Sequence, residues 1–504
     1  MTREVALTLR RSLVILTVIT IVTAWFSELF YFPDEHYQVL EFMSYKLGIT
    51  PVADLPWEFA ARIRPWMQPL LYFTITKPLM WAGVHDMFVI AFILRLLTGL
   101  FSVAALALFA RAVLDTFESE DEQLAFVRYL PFFGFLPYLF VRTASETLAA
   151  AFFAMGLALI LRRRSTVSLA MAGLLCGLAF ECRYQAGIMA VGLFAWLAII
   201  ARARFAALAS FVGGGLAAML LGTLADRWGY GAWTFPPLGY LQFNVLGGGA
   251  EHQFGREPII AYLYLMPAQF FFAITLVLMV ALVAMWLRNP RHAVSWVTLP
   301  FVLVHMLVAH KEARFLFPLA ILATAFPVLG FSPRLPRWRE VFAHVWRWRN
   351  GWAAKLVTAL SVIFMAYLAV YPFGIRPHMP MAKYLYRHDP GVIFSFDEPF
   401  LSYPLYRPAG FQSHKLADNS AFDVLLRKGP VYLMAQTPAP LDIPGAKVTL
   451  LYSEFPLAHL GLGAAGVRYI QGYSDFAARE RWLKLLPLYW YTLYRVERSA
   501  TMRS

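Results

Sequence analysis

Two adjacent carboxylates and an imidazole, Asp34-Glu35-His36, stand close to the start of this chain, within Phe32-Pro-Asp-Glu-His-Tyr-Gln-Val-Leu-Glu41. A carboxylate can take a proton from a hydroxyl, so Asp34 or Glu35 is a candidate general base, with His36 beside them. Pro33 followed by two acids is equally a good first turn of a helix, acidic where the helix dipole is positive. A second cluster, His310-Lys311-Glu312-Ala313-Arg314, has the opposite sign. Two full cations and an imidazole, with only Glu312 to neutralise them, suit a phosphate: Arg314 by its planar fork, Lys311 as a point charge. Between the two lie Arg142-Thr-Ala-Ser-Glu146, Glu181-Cys-Arg183-Tyr-Gln185 and Asp226-Arg-Trp-Gly-Tyr-Gly231. Each sits in or at the lip of an apolar helix, where ionised groups are costly and face a cavity or a partner. Plain pairing accounts for them as well: Arg183 with Glu181 or Glu146, Asp226 as a cap or with Arg227. A base for a hydroxyl and cations for a departing phosphate together describe a group transfer.

The elements that must position these groups are membrane helices. The chain has 504 residues, 60% of them hydrophobic and 15% charged, with mean hydropathy +0.57; soluble domains carry about 25% charge. About eleven runs approach the length that crosses a bilayer: 12–30, 69–84, 87–110, 144–161, 168–180, 186–200, 206–224, 260–287, 293–310, 315–331 and 356–371. The fold class expected is an all-α polytopic membrane protein. In such a protein the net charge of +14 reports topology before it reports nucleic acid. Arg3, Arg10 and Arg11 place the N-terminus in the cytoplasm, with Arg162-Arg163-Arg164, Arg202, Arg204, Arg288 and Arg291 on the same side. Residues 1–27 read as a retained anchor, since Trp25, Phe26 and Glu28 occupy the place of a cleavage site. The apolar segment 129–141 is short and carries Pro131 and Pro137, so it is expected to be re-entrant or interfacial. Residues 334–349 mix arginine and tryptophan and are expected to form an interfacial helix on anionic lipid. Cys176 and Cys182 do not face each other and supply neither a disulfide nor a metal site.

The expected organisation is a transmembrane catalytic domain, 1–373, whose first extracytoplasmic loop is 31–68. An extracytoplasmic α/β domain, 374–504, follows, with strands at 392–396, 431–434, 447–452 and 490–496.

Four stretches resemble glycosyltransferase family 22, the polytopic GT-C mannosyltransferases that use dolichyl-phosphate-mannose in N-glycan and GPI-anchor assembly. Phe32–Glu41 resembles the first-loop Pro-Asp-Glu motif. Val141-Arg-Thr-Ala-Ser-Glu-Thr-Leu148 is similar to the Arg-Thr-x-Ser-Asn segment, with Glu146 in place of the usual Asn. The run from Asp226 through Tyr230 and Trp233 to Phe243-Asn-Val-Leu246 resembles the family's Asp…Tyr-Gly-x-Trp…Phe-Asn-Val-Leu. His310-Lys-Glu-Ala-Arg-Phe315 is similar to its His-Lys-Glu-x-Arg-Phe signature. Within the family the likeness is greatest to the enzymes that add the third GPI mannose.

The resemblance implies an inverting transfer with neither cofactor nor divalent metal. It implies Asp34 as base, with Glu35 second or tuning it. His310, Lys311 and Arg314 would hold the donor phosphate, assisted by Arg142 or Arg183. Asp226, Tyr230 and Asn244, with His36 and Glu312, would shape the substrate pocket. The implied partners are membrane lipid, a polyprenyl-phosphate-linked sugar and a glycan or glycolipid acceptor, with no nucleic acid. Alanine, glycine and arginine usage looks bacterial and there is no ER-retrieval tail. An undecaprenyl donor at the periplasmic face of an inner membrane is therefore expected as readily as a dolichyl donor at the lumenal face of the endoplasmic reticulum. A transporter or flippase of a lipid-linked glycan is the alternative from another class; its paired broken helices in two repeats are not visible in the sequence.

Overall fold

Thr2 starts the first helix by accepting the Val5 N–H at 3.4 Å, and α1 (Arg3–Phe26) then runs unbroken through an apolar stretch. The computed structural model describes the chain except residues 29, 163, 270–271, 332–350, 371–377, 397–402, 436–442, 455–490 and 500–504. The expected interfacial helix at 334–349 lies outside the described residues. The main helices after α1 are α2 (Met67–Trp81), α3 (Met87–Leu114), α4 (Ser145–Arg162), α5 (Thr166–Cys182) and α6 (Ala186–Ile199). They are followed by α7 (Phe205–Tyr230), α8 (Phe272–Arg288), α9 (Ala293–Leu307) and α10 (Trp352–Val370). Among the described residues α1, α3, α4 and α7 are each long and apolar enough to cross a membrane, and α8 with α9 forms a pair bent by 119°.

Side-chain bonds fix which end of the bundle each element occupies. α3 lies antiparallel to α1, because Arg95 Nε donates to the Ala24 carbonyl at 3.1 Å while Gly99 faces Thr20. The acidic turn before residue 129 sits at the end that holds the N-terminus: Thr2 donates to Glu120 at 2.6 Å, and Arg128 pairs with Glu4 at 2.9 Å.

Segment 129–141 is not re-entrant. Ser12 donates to the Val127 carbonyl at 2.6 Å, and Arg142 donates to the Ser27 carbonyl at 2.9 Å, both across a separation of 115 residues. The segment therefore advances alongside α1 at the helix's own rate, over ~22 Å for fifteen residues, from one end of the bundle to the other. It does so as two short turns, Leu130–Phe132 and Leu136–Phe140. Protein surrounds it, with Gly134 pressed against Ser361 and Met365 of α10, so its broken backbone does not meet lipid.

Conversely, the expected span 69–84 does not cross. Near the start of α2, Gln68 donates to the Thr143 carbonyl at 2.8 Å. After α2 ends, the His85 carbonyl accepts from Tyr386 at 3.3 Å, at the same end. The two reversals cancel, so every later element keeps the direction expected of it.

Glycines set the tightest contact. An ideal Cβ on Gly173 of α5 would lie 1.9 Å from the Phe211 carbonyl oxygen of α7, and one on Gly214 would lie 1.9 Å from that of Ala170. Small residues let the two backbones approach in parallel, as membrane helices do.

Among the described residues beyond α10, five strands form one sheet: β1 (Val392–Ser395), β2 (Gln412–Lys415), β3 (Val431–Ala435), β4 (Ala446–Ser453) and β5 (Thr492–Arg498), in the order β2-β1-β3-β5-β4. β1 pairs in parallel with β2 and β3; β5 is antiparallel to β3 and β4. β2, the sequence Gln-Ser-His-Lys at an edge, has no apolar alternation and was not expected. This region docks on the first loop: Leu405 N–H donates to Glu41 at 3.1 Å, Arg407 pairs with Asp54 at 3.0 Å, and Lys383 pairs with Glu28.

Gly173→Ala and Gly214→Ala should each lower stability by about 1–3 kcal/mol, as overpacking does. Gly213→Ala, with nothing within 4 Å of its Cβ position, should be neutral or slightly stabilising; thermal unfolding of the three variants checks this.

Candidate active site

Asp34 and Glu35 are neighbours in sequence with different surroundings. Directly after Asp34 the chain makes one wide turn, Glu35–Leu40, with i→i+5 bonding, then the helix Glu41–Leu47, which stops at Gly48 in the left-handed conformation. The turn directs Glu35 inward. Its Oε1 accepts from Thr143 N–H at 3.0 Å and from the Thr143 hydroxyl at 3.2 Å; its Oε2 accepts from Tyr31 N–H at 3.1 Å. Arg142 lies 3.8 Å from it and also holds Ser27. Glu35 and Arg142 thus tie the first loop to the start of α4. Asp34 keeps 27% of its side chain exposed and meets cations: Oδ2 lies 2.6 Å from Arg314 Nη1 and 3.9 Å from Arg64 Nη2. Burial pushes its carboxyl upward, but Arg314 and Arg64 outweigh burial and hold it below the usual carboxylate range.

Arg314 is gripped on its other edge by Glu312, Nε to Oε2 at 2.6 Å and Nη2 to Oε1 at 3.0 Å, and its guanidinium lies 4.6 Å from the centre of the Phe32 ring. His310 reaches Glu312 at 3.0 Å. Burial raises Glu312, yet Arg314 and His310 bring it down to about 2. The cluster expected to have only Glu312 to neutralise its cations gains a second carboxylate, because the fold delivers Asp34 to it. Lys311 turns away from the cluster. Its Nζ donates to the Val308 carbonyl at 2.5 Å and the Glu257 carbonyl at 3.0 Å, capping the end of α9, where a cation suits both the open carbonyls and the dipole.

Of the other expected residues, Arg183 joins the site, paired with Glu146 at 3.2 Å and facing Phe315 at 5.4 Å. Asp226 and Tyr230 act one step back. Asp226 accepts Trp66 N–H at 2.9 Å, and Tyr230 donates to the Arg64 carbonyl at 2.8 Å, so α7 holds the turn that presents Arg64. His36 is buried elsewhere: its Nε2 lies 2.5 Å from Glu41, and its ring packs on Phe30, Tyr403 and Tyr406 at 5.4, 4.8 and 5.6 Å. The wide turn sends it to the face opposite Asp34. Asn244 bonds back to the Tyr240 carbonyl at 2.9 Å within its own turn and makes no bond to the cluster. Arg64, Glu58 (3.4 Å from it) and Gln38, which donates to Glu58 at 3.0 Å, belong to the site without a role expected of them. The signal available was only an acidic and a basic residue within one loop.

The buried and half-buried charges alternate: Asp34, Glu35, Glu58, Glu146 and Glu312 against Arg64, Arg142, Arg183 and Arg314. Two spaces of different character lie near this cluster. An apolar groove runs along α8 and α9 and reaches Leu316 and Phe317, just past Arg314 in sequence. A narrower polar cleft lies on the side of Arg64 and Arg183. Among the described residues no three His, Cys, Asp or Glu side chains are placed to hold a metal ion.

Glu312 is depressed from 4.5 to about 2. Its contribution, roughly 3 kcal/mol by linkage, should be complete above about pH 4.5 and disappear as pH falls towards 2. The difference in melting temperature between the parent and Glu312→Gln should therefore shrink across that interval.

Comparison with known proteins places the chain. It is 27% identical to a GPI alpha-1,2-mannosyltransferase 3 of Mus musculus over 61% of this chain and 56% of that protein. It is 25% identical to an alpha-1,2-mannosyltransferase ALG9 of Arabidopsis thaliana over 60% and 52%. The chain thus spans about half the length of these curated relatives. Among solved structures, the apo oligosaccharyltransferase of Archaeoglobus fulgidus aligns with 84% of this chain and 69% of that chain, at 11% identity and a TM-score of 0.44, too distant to carry an argument. The family model matches residues 12–388, from α1 to the helix beyond α10, and this chain belongs to the Alg9-like mannosyltransferase family.

Proposed function

We propose that this protein is an integral-membrane, inverting glycosyltransferase that moves mannose from a polyprenyl phosphate to a hydroxyl of a glycan or glycolipid. The observation that carries the reading is Asp34 held by Arg314, with an apolar groove reaching Leu316 and Phe317 just past that arginine and a polar cleft lined by Arg64 and Arg183. The groove suits an isoprenoid chain, and its rim brings the attached phosphate beside Arg314 and Arg183.

In the reaction the acceptor oxygen attacks the anomeric carbon as its proton passes to Asp34. The bond from the anomeric carbon to the phosphate oxygen breaks, and the electron pair leaves with the polyprenyl phosphate. Charge is conserved locally: the leaving phosphate gains one negative charge as Asp34 loses one. Arg314 touches the carboxylate and can turn its field to the phosphate as the proton arrives. The same arrangement answers the low basicity of Asp34 in the free site. A bound donor phosphate shares the Arg314 cation, and the carboxyl rises towards the range where it accepts a proton. Glu35, fully bonded, positions the loop, and Lys311 braces α9. Neither cofactor nor metal enters the scheme.

Orientation follows from basic residues at the opposite end. Arg164 lies over Trp196 at 4.9 Å, and Trp196 donates to the Arg291 carbonyl at 2.8 Å, which gathers the two arginine-bearing loops there. The positive-inside rule makes that end cytoplasmic and the site extracytoplasmic. Counting the 129–141 segment and omitting α2, the chain makes about eleven passes of bilayer-scale length.

Turnover of synthetic polyprenyl-phosphate-mannose by the purified protein tests the reading. Asp34→Asn should lower kcat by about 10²–10⁴ with little change in donor KM. Lys311→Met should alter thermal stability more than donor KM. An Asp34→Asn variant as active as the parent would exclude the mechanism.

A further inference from the structure

The chain between α7 and α8 holds a motif that the transfer scheme does not use. Residues 228–250, which include Phe243-Asn-Val-Leu246, contain no Asp, Glu, Lys, Arg or His. In soluble domains about a quarter of the residues are charged. Within this stretch Pro236–Leu241 and the wide turn Gln242–Leu246 form one continuous short helix. Pro236 and Pro237 stand in its first turn, where their missing N–H groups leave no helical bond unmade. At ~16 Å the helix is far too short to cross a bilayer.

Its two faces differ. The inward face packs on the first loop and on the polar cleft. An ideal Cβ on Gly239 would lie 3.2 Å from Ile63 Cγ2, and the Phe243 ring meets Trp57 at 4.9 Å. The Tyr240 ring lies 5.7 Å from the Arg64 guanidinium, and its hydroxyl accepts from Gln185 Nε2. The outward face is made by Phe235, Leu238, Leu241, Val245 and Leu246, each between 43% and 72% exposed. Steps of three and four residues put these side chains on one side of the helix. A contiguous apolar face with no charge in or beside it is an interaction surface rather than a surface made for water.

The neighbouring chain indicates what covers it. α7 is a membrane-crossing helix that ends at Tyr230, and Leu216, Leu220 and Leu224 on it are exposed in the same way. Just past its end, Trp233 lies 5.8 Å from the guanidinium of Arg227. An arginine and an indole together mark the level where headgroups meet acyl chains. Pro236 is three residues beyond Trp233, and three residues reach at most ~10 Å. The helix therefore starts close to that level, and its apolar face continues the lipid-facing surface of α7.

We propose that Pro236–Leu246 is an in-plane membrane anchor. It lies on the leaflet at the site's end of the bundle, with its outward face among the upper acyl chains and its inward face on Arg64. The partner it fits is the lipid surface itself. The proposal rests on α7 as a membrane span, and on neither the donor nor the transfer reading.

Nitroxide labels on Leu238→Cys, Leu241→Cys and Val245→Cys, in full-length protein in phosphatidylcholine nanodiscs, test the anchor. Power saturation compares oxygen, which concentrates among acyl chains, with a water-soluble nickel chelate. The native Cys176 and Cys182 are buried and stay unlabelled. Leu220→Cys on α7 serves as the lipid reference, and Asp423→Cys, at an exposed position near the sheet, as the aqueous one. The three helix labels should be relaxed more by oxygen than by nickel, as at residue 220, with the order reversed at residue 423. Labels reached by nickel at least as well as by oxygen place the face in water and overturn the proposal. Labels reached by neither place it against protein, a second copy or another chain, and overturn it equally. The readout needs no turnover, so a protein that fails to use the polyprenyl donor overturns the transfer reading and leaves the anchor standing.

Discussion

The pairing of Asp34 with Arg314 is the constraint around which the rest of this molecule is arranged. A carboxylate 2.6 Å from a guanidinium, with a second carboxylate gripping the same cation, is stable only if both elements that carry them are fixed. One partner comes from the first loop and the other from the turn after α9, far apart in sequence. Glu35 and Arg142 fix the first loop against α4, Asp226 and Tyr230 fix the turn bearing Arg64, and Lys311 fixes the end of α9. Glu35, Arg142, Asp226 and Lys311 are ionisable and buried and Tyr230 is half-buried, yet each is answered by a specific partner, as buried polar groups require. Five of the residues whose types suggested a place in the site thus act as anchors around the Asp34–Arg314 pair.

Much of this was legible in the sequence because the signals are local. Asp34 behind Pro33, Arg314 near the end of an apolar run, and Arg183 within reach of Glu146 need only residue type and helix length to be noticed. β1, β3 and β4 were legible from their apolar runs. What was not legible depends on direction within a turn. Nothing in Asp34-Glu35-His36 says that the first will meet Arg314 while the wide turn that follows aims the second at Thr143 and the third at Tyr403. Lys311 reads as a phosphate ligand until the carbonyls of Val308 and Glu257 appear around it. Arg64 gains meaning only when Tyr230 arrives from α7.

The exchange between α2 and segment 129–141 has a different cause. Hydropathy ranks a fifteen-residue apolar helix above a proline-broken segment of similar length. In the folded chain the opposite holds, since what decides is whether the broken backbone is surrounded by protein. Two errors of opposite sign preserve parity, so the basic loops after residue 162 gave no warning.

The docking of Leu405 on Glu41 has a consequence for biogenesis. The two residues are 364 positions apart, and Tyr403 and Tyr406, on either side of the later one, pack on His36, two positions after Asp34. A ribosome adding ~5–20 residues per second needs roughly 20–70 s to make the intervening chain. During that interval the loop bearing Asp34 is without its late-arriving support. The first loop to be synthesised is therefore among the last to be completed, and its final packing waits until translation has passed the region that docks on it.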